Sequence, residues 1–235
     1  TIKRLAEPWI PKVIKARIPD FNQTQENIIK ILSMIFDVDA PKISEESLGI
    51  EHYVAYLDRV YRNMLNNILG DIQLLQHVRR DVKEESEDHL GLKAYTIRYL
   101  VECENVRLEN IEVTSELKGE LIPDIIAKTS DGRRIAIEVE TLFGTGPAPI
   151  LEIIDTCRRY YEKEPKIDEL WIVVRNWTAA IHLGQLIFTQ LMWDKRFREK
   201  NMHVRILVPS CSKIKLVSIL EIASRLGLFS KDVSV

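Results

Sequence analysis

The chain has 235 residues, 46% of them hydrophobic, which is enough for one generous domain or a domain with an appendage. Its 33 basic and 35 acidic side chains leave a net charge of −2, which argues against a globally basic nucleic-acid coat protein and leaves room only for a local basic stripe. The three cysteines form no CxxC pair and the five histidines no HExxH-type spacing, so neither a zinc site nor a disulfide framework is expected.

Residues 1–21 contain Pro8, Pro11 and Pro19 and read as an irregular arm that packs through Trp9 and Ile14. Asn22 or Thr24 can cap a helix running to about Phe36, with Ile28, Ile31, Leu32 and Ile35 on one face. After a break at 37–42, a second helical stretch begins near Ser47 and carries Tyr53, Tyr56, Leu57, Val60, Met64 and Ile68; Gly70 interrupts it before it resumes to about Arg80. The first 81 residues therefore read as an all-helical appendage with no chemistry of its own, suited to dimerisation or docking. Residues 82–235 read as an α/β domain.

Val82 to Glu102 reads as a helix with acids in its first turn, where the helix dipole favours them. Leu90, Ala94, Ile97 and Val101 form its apolar stripe, and Glu87 falls on that stripe three residues before Leu90, with Glu84 as an alternative acid. Val106 to Glu116 follows as a strand whose alternation slips near Glu109-Asn110.

The next stretch carries the chemistry. Leu121 to Gly146 delivers Asp124 directly after a proline, turns at Asp131-Gly132, and continues as a strand in which Ile135, Ile137 and Val139 alternate with Ala136, Glu138 and Glu140. Two carboxylates side by side on one strand face repel unless a cation or a proton compensates them. A two-residue turn would set Asp124 opposite Val139, on the wrong face. A three-residue loop, Ser130-Asp131-Gly132 with Gly132 at positive φ, sets Asp124 opposite Glu138, and this register is the one predicted. Three acids so gathered suit Mg²⁺ or Mn²⁺, which take carboxylate oxygens and keep positions for water and phosphate. A surface hairpin whose solvent face happens to be acidic is the plain alternative.

Phe143-Gly144-Thr145-Gly146 lacks the third glycine of a dinucleotide-binding loop and follows an acidic strand, so it reads as a loop beside a phosphodiester site or a simple connection. Ile150 to Lys163 reads as a helix with Ile150, Ile153, Ile154 and Cys157 inward. Leu170 to Val174 is a doubly buried strand, parallel to the acidic one because a helical crossover joins them. A helix from Asn176 to about Lys200, a buried strand from His203 to Val208, and a final amphipathic helix from Lys213 to Leu226 closed by Gly227 complete the pattern.

Pro123-Asp124, a gap, then Glu138-Val139-Glu140 on a following strand resembles the motif of the PD-(D/E)xK nuclease superfamily, and the order helix, strand, strand, strand resembles the start of that family's core. The resemblance covers roughly the last two-thirds of the chain. It departs from the family pattern at Glu140, which fills the usual lysine position, as it does in some restriction enzymes of the superfamily. It implies a restriction-endonuclease-like mixed sheet flanked by helices and a metal-dependent endonuclease acting on DNA. Asp124, Glu138 and Glu87 would then hold Mg²⁺ (or Mn²⁺), with Glu140 orienting or deprotonating the attacking water. Arg158, Arg159 and Lys163 on the following helix, with Arg133 and Arg134 on the hairpin, would contact DNA, and Arg158 or Arg159 would supply the positive charge that Glu140 cannot. A homodimer is the form in which such nucleases often cut two strands. Two alternatives stay open: a catalytically inactive nuclease fold serving as a binding or assembly module, and a nucleotide-binding protein using the Gly144 loop. With no leader-like segment and no apolar run of membrane-spanning length, the expected location is cytoplasmic.

Overall fold

The computed structural model describes residues 25–39, 50–78, 85–113 and 121–228. Helices α1 (Gln25–Phe36), α2 (Ile50–Leu69) and α3 (Ile72–Val78) precede α4 (Glu87–Glu102). Strands β1 (Ile111–Val113), β2 (Ile125–Lys128) and β3 (Arg134–Glu140) follow, then α5 (Ala148–Lys163), β4 (Glu169–Val174), α6 (Asn176–Arg198), β5 (His203–Pro209), β6 (Leu216–Ser218) and α7 (Ile219–Arg225). The expected arm at 1–21, the second helix start at 44–49 and the alternative acid Glu84 lie outside the described residues.

The six strands form one mixed sheet in the order β1-β2-β3-β4-β5-β6. The β3–β4 and β4–β5 pairs are parallel and joined by helical crossovers, as expected from the strand–helix–strand spacing; the other three pairs are antiparallel. β4 is buried at all six positions because helices cover both faces, which explains its unbroken apolar run. On one face Glu138, Ile172 and Ile206 stand in line, under α5 and α6; on the other, Ile137, Trp171 and Arg205 do, and Tyr99 of α4 lies 6.1 Å from Trp171.

The hairpin takes the three-residue loop. Ile125 pairs with Ile137 and Lys128 with Arg134, the Thr129 N–H donates to Arg133 O at 3.0 Å, and Gly132 sits at φ +90°, where a Cβ is strained. Continued by one residue, this register sets Asp124 opposite Glu138.

α4 is buried far more completely than one apolar stripe requires: Leu90 through Ile97 and Leu100 are all covered, while Val101, expected on the stripe, is exposed. The helix lies between the sheet and α2, and it approaches α2 so closely that a Cβ on Gly91 would stand 3.1 Å from Leu65 Cδ2. It starts at Glu87 rather than Val82, because Ser86 caps it by accepting the His89 N–H at 3.2 Å. Its buried Tyr95 donates toward the carbonyls of Ser210, Lys213 and Lys215 at 2.7, 2.8 and 3.0 Å, fixing the loop between β5 and β6.

α1 and α2 share one continuous buried cluster with the sheet: Asn176 Nδ2 donates to Ile35 O at 2.8 Å, and Phe36 packs edge-on to Trp177 at 4.7 Å. Two expectations need correction. Glu109-Asn110, where the alternation slips, belongs to a 3₁₀ turn, Leu108–Asn110, so among the described residues the strand starts at Ile111 rather than Val106, and its expected end at 114–116 lies outside them. The helix expected from Lys213 begins at Ile219, because Leu216–Ser218 pair with β5; three apolar-rich strand residues leading straight into a helix mimic its periodicity. Among the described residues, no helix is long and apolar enough to cross a membrane.

Candidate active site

β2 runs antiparallel to β3, so the residue entering β2 stands beside the end of β3. This topology brings Asp124 to Glu138 and Glu140, and the buried N-terminal half of α4 crosses the same edge. Asp124 has already left the ladder, and its carboxylate turns toward the strand plane. Its Oδ2 accepts the Val139 N–H at 2.8 Å, and Lys93 Nζ lies 2.8 Å from its Oδ1. His89 Nε2 lies 3.3 Å from Oδ2. Burial alone would raise the Asp124 carboxyl; the His89 hydrogen bond and the Lys93 charge outweigh it and hold the group below the usual carboxylate range.

Lys93 is 2% exposed, and its Nζ also donates to Glu85 Oε1 at 2.6 Å. A buried ammonium is costly unless paired, and here burial is outweighed by Asp124 and Glu85, which raise its affinity for the proton. His89 and Lys93, four residues apart, share one side of α4, and Glu85, just before the Ser86 cap, reaches both.

Glu138 and Glu140 meet α5. Tyr160 Oη donates to Glu138 Oε1 at 2.8 Å, and Thr156 Oγ1 to Glu140 Oε1 at 3.3 Å. A strand spacing of two residues, about 6.6 Å, matches a helical spacing of four, about 6 Å, so an antiparallel α5 answers both acids at once. These bonds do not compensate the burial of two acids. Burial first, then the Asp124 charge, pushes Glu138 up to about 8. Burial first, then Glu152, pushes Glu140 up to about 7. The Tyr160 phenol is driven upward by burial and by Glu138. The site thus pairs one firmly ionised carboxylate with two that carry protons near neutrality.

The remaining expected residues divide. Arg159 lowers both glutamates by its charge and donates to Thr156 Oγ1 at 3.1 Å, touching the site through that hydroxyl. Arg158 is paired with Asp155 on the exposed side of α5, and Lys163 is exposed at its end. Glu87 is exposed in the first turn of α4; Glu85, two residues earlier and outside the helix, is the acid that reaches inward. Arg133 and Arg134 lie at the hairpin tip, six or more strand residues and about 20 Å from Glu140. There Arg133 pairs with Asp131 and Glu169, and the Arg134 N–H is bonded to Asp168, so neither joins the acids.

A second positive charge, beside that of Arg159, comes from Lys93, which was not among the expected residues. Its signal was present: a lysine three residues after Leu90 and four before Ile97 sits on the buried stripe.

Among the described residues, no three His, Cys, Asp or Glu side chains converge as metal ligands. The donor set still fits a hard cation, because Mg²⁺ takes only one or two carboxylates and fills its other positions with water and phosphate. An ion bound beside the ionised Asp124 would favour the charged form of Glu138, which burial and the Asp124 charge now disfavour. No family model matches this chain, and neither the curated proteins nor the solved structures include a significant match to it.

Proposed function

We propose that this chain is a divalent-metal-dependent nuclease that hydrolyses phosphodiester bonds in DNA, with a restriction-endonuclease-like domain organised around Asp124, Glu138, Glu140 and Lys93. The observation that carries the reading is Lys93: a 2%-exposed lysine with its Nζ 2.8 Å from Asp124, beside two glutamates held near their neutral form. Buried cation and acids at the end of a sheet cost stability, and such groups serve phosphoryl transfer by holding a metal and stabilising developing charge. Asp124 and Glu138 would hold Mg²⁺ (or Mn²⁺), which when bound acidifies water and stabilises developing phosphate charge. Lys93 keeps Asp124 ionised; Asp124 and Glu85 take two of its three N–H donors, leaving one for a phosphate oxygen or the attacking water. Glu140, titrating near 7, is suited to take a proton from that water at neutral pH. Tyr160 fixes the Glu138 rotamer. Arg159, Arg158 and Lys163 on α5 provide the cationic flank for the DNA backbone.

The inactive-module alternative rests on Glu140 in the lysine position and on the near-neutral net charge of −2. A lysine offered from α4 in place of the strand weakens the first ground and leaves the second. The test is cleavage of supercoiled plasmid and of single-stranded DNA with Mg²⁺ or Mn²⁺, using the wild-type chain, Asp124→Ala and Lys93→Met. Cleavage by the wild type with loss in both variants, each still folded by circular dichroism, is expected. Wild-type rates in both variants would refute this mechanism, and a wild type that cleaves nothing would favour the module.

A further inference from the structure

Phe143 is 57% exposed, yet the backbone around it is held on both sides. Thr178 Oγ1 donates to Leu142 O at 2.9 Å, and His182 Nε2 lies 2.8 Å from Gly144 O. His182 is itself 2% exposed and sits at a kink of α6, with φ −115° and ψ 18°. Beneath the ring lies Arg175: its guanidinium carbon is 5.3 Å from the Phe143 centroid and 5.9 Å from that of Tyr61, and its Nη1 is 2.8 Å from Asp88 Oδ2. Tyr61, Arg175 and Phe143 thus form a ladder that rises from the core and ends at an exposed ring. Phe143 follows Glu140 by three residues, so its Cα lies within about 11 Å of that glutamate's.

An exposed aromatic ring alone is unremarkable on a surface. This one has a cation stacked beneath it, and hydrogen bonds pin the carbonyls on either side; a loop that only connected β3 to α5 would need neither. A cation under an aromatic ring anchors it in place, and a fixed ring beside a phosphodiester site offers a flat surface to a nucleobase. We propose that Phe143 is a stacking platform for an unpaired base next to the scissile phosphate, and that the substrate is accordingly a single strand, a flap or a frayed end rather than intact duplex. The inference rests on the nuclease reading above and adds the form of the substrate to it.

Stacking on an aromatic residue is sequence-tolerant and worth about 5- to 150-fold in affinity per base. The test is fluorescence anisotropy of a short fluorescein-labelled oligothymidylate in EDTA, on the wild-type chain, Phe143→Leu and Phe143→Trp, with cleavage of the same strand and of a duplex measured in Mn²⁺. Phe143→Leu keeps apolar bulk and loses the ring. It should weaken single-strand binding by about 5- to 150-fold and slow single-strand cleavage, while Phe143→Trp retains both. Equal binding and cleavage by the wild type and Phe143→Leu, or a preference of the wild type for duplex, would overturn the stacking role and leave the nuclease reading standing. A wild type that neither binds nor cleaves either substrate would overturn both.

Discussion

Replacing Glu138 with glutamine tests the electrostatics of the site without invoking a ligand. In the unfolded chain Glu138 titrates at about 4.3; in the folded chain burial, and then the Asp124 charge, carry it to about 8. Between those values the native state holds a proton that the unfolded state has released. Stability from this group is therefore complete below about pH 4 and is lost as pH rises through about 8. At about 1.4 kcal/mol per unit the full shift is on the order of a few kcal/mol, taken conservatively because Glu138 is coupled to Asp124 and Glu140. For a chain of this size that is roughly 5–10 °C in Tm. Glutamine keeps the acceptor for the Tyr160 hydroxyl and cannot ionise. Thermal unfolding in EDTA, followed by circular dichroism, should show wild type and Glu138→Gln nearly equal at about pH 5. At about pH 8.5 the variant should be the more stable by several degrees. Glu140, displaced in the same direction, leaves the variant a residual slope. A variant no more stable than wild type at alkaline pH, with an unchanged dependence, would refute the claim that Glu138 is held near neutrality by its surroundings.

Three further outcomes follow from the same geometry. Lys93→Met removes the buried partner of Asp124 and Glu85 and should cost about 3–5 kcal/mol at neutral pH, measured by urea unfolding; a neutral effect would mean the ion pair is not buried as described. Tyr160→Phe deletes the hydrogen bond at 2.8 Å to Glu138, with an expected cost of about 1 kcal/mol and a further rise in the pH at which Glu138 ionises, visible as a shifted midpoint in the pH–Tm profile. Gly132→Ala places a Cβ at φ +90°, and a loss of about 1–2 kcal/mol in thermal unfolding is expected; no loss would mean the hairpin loop adopts another conformation.

The sequence made the hairpin legible because two constraints acted on it together. Period-two alternation set the faces of β3, and Gly132 marked the loop length; together they set Asp124 opposite Glu138. The doubly buried β4 and the parallel crossovers were legible for a similar reason, since an unbroken apolar run between helices has few other uses. Lys93 was not found because α4 was read as a helix with one buried stripe and a solvated remainder. Packing between the sheet and α2 buries it nearly all around, and that is set by residues such as Gly91 and Leu65, far apart in the chain. Glu87 and Glu85 differ by two positions, and only the location of the Ser86 cap decides which acid reaches inward. Arg133 and Arg134, expected as DNA contacts on the hairpin, stand at the far end of the sheet from the acids because the length of β3 lies between them. Short β6 escaped because three strand residues carry too little pattern to separate from the helix that follows.

The most direct test of the central claim is calorimetric titration of Mn²⁺ into the wild-type chain and into Asp124→Asn at about pH 8, where the metal readily displaces the glutamates' protons into solvent. The account predicts binding by the wild type that weakens as pH falls through the range where Glu140 and Glu138 titrate, about 7 to about 8, and that is lost in Asp124→Asn. Equal binding by both chains, or none by the wild type, would contradict a metal held by Asp124 and Glu138.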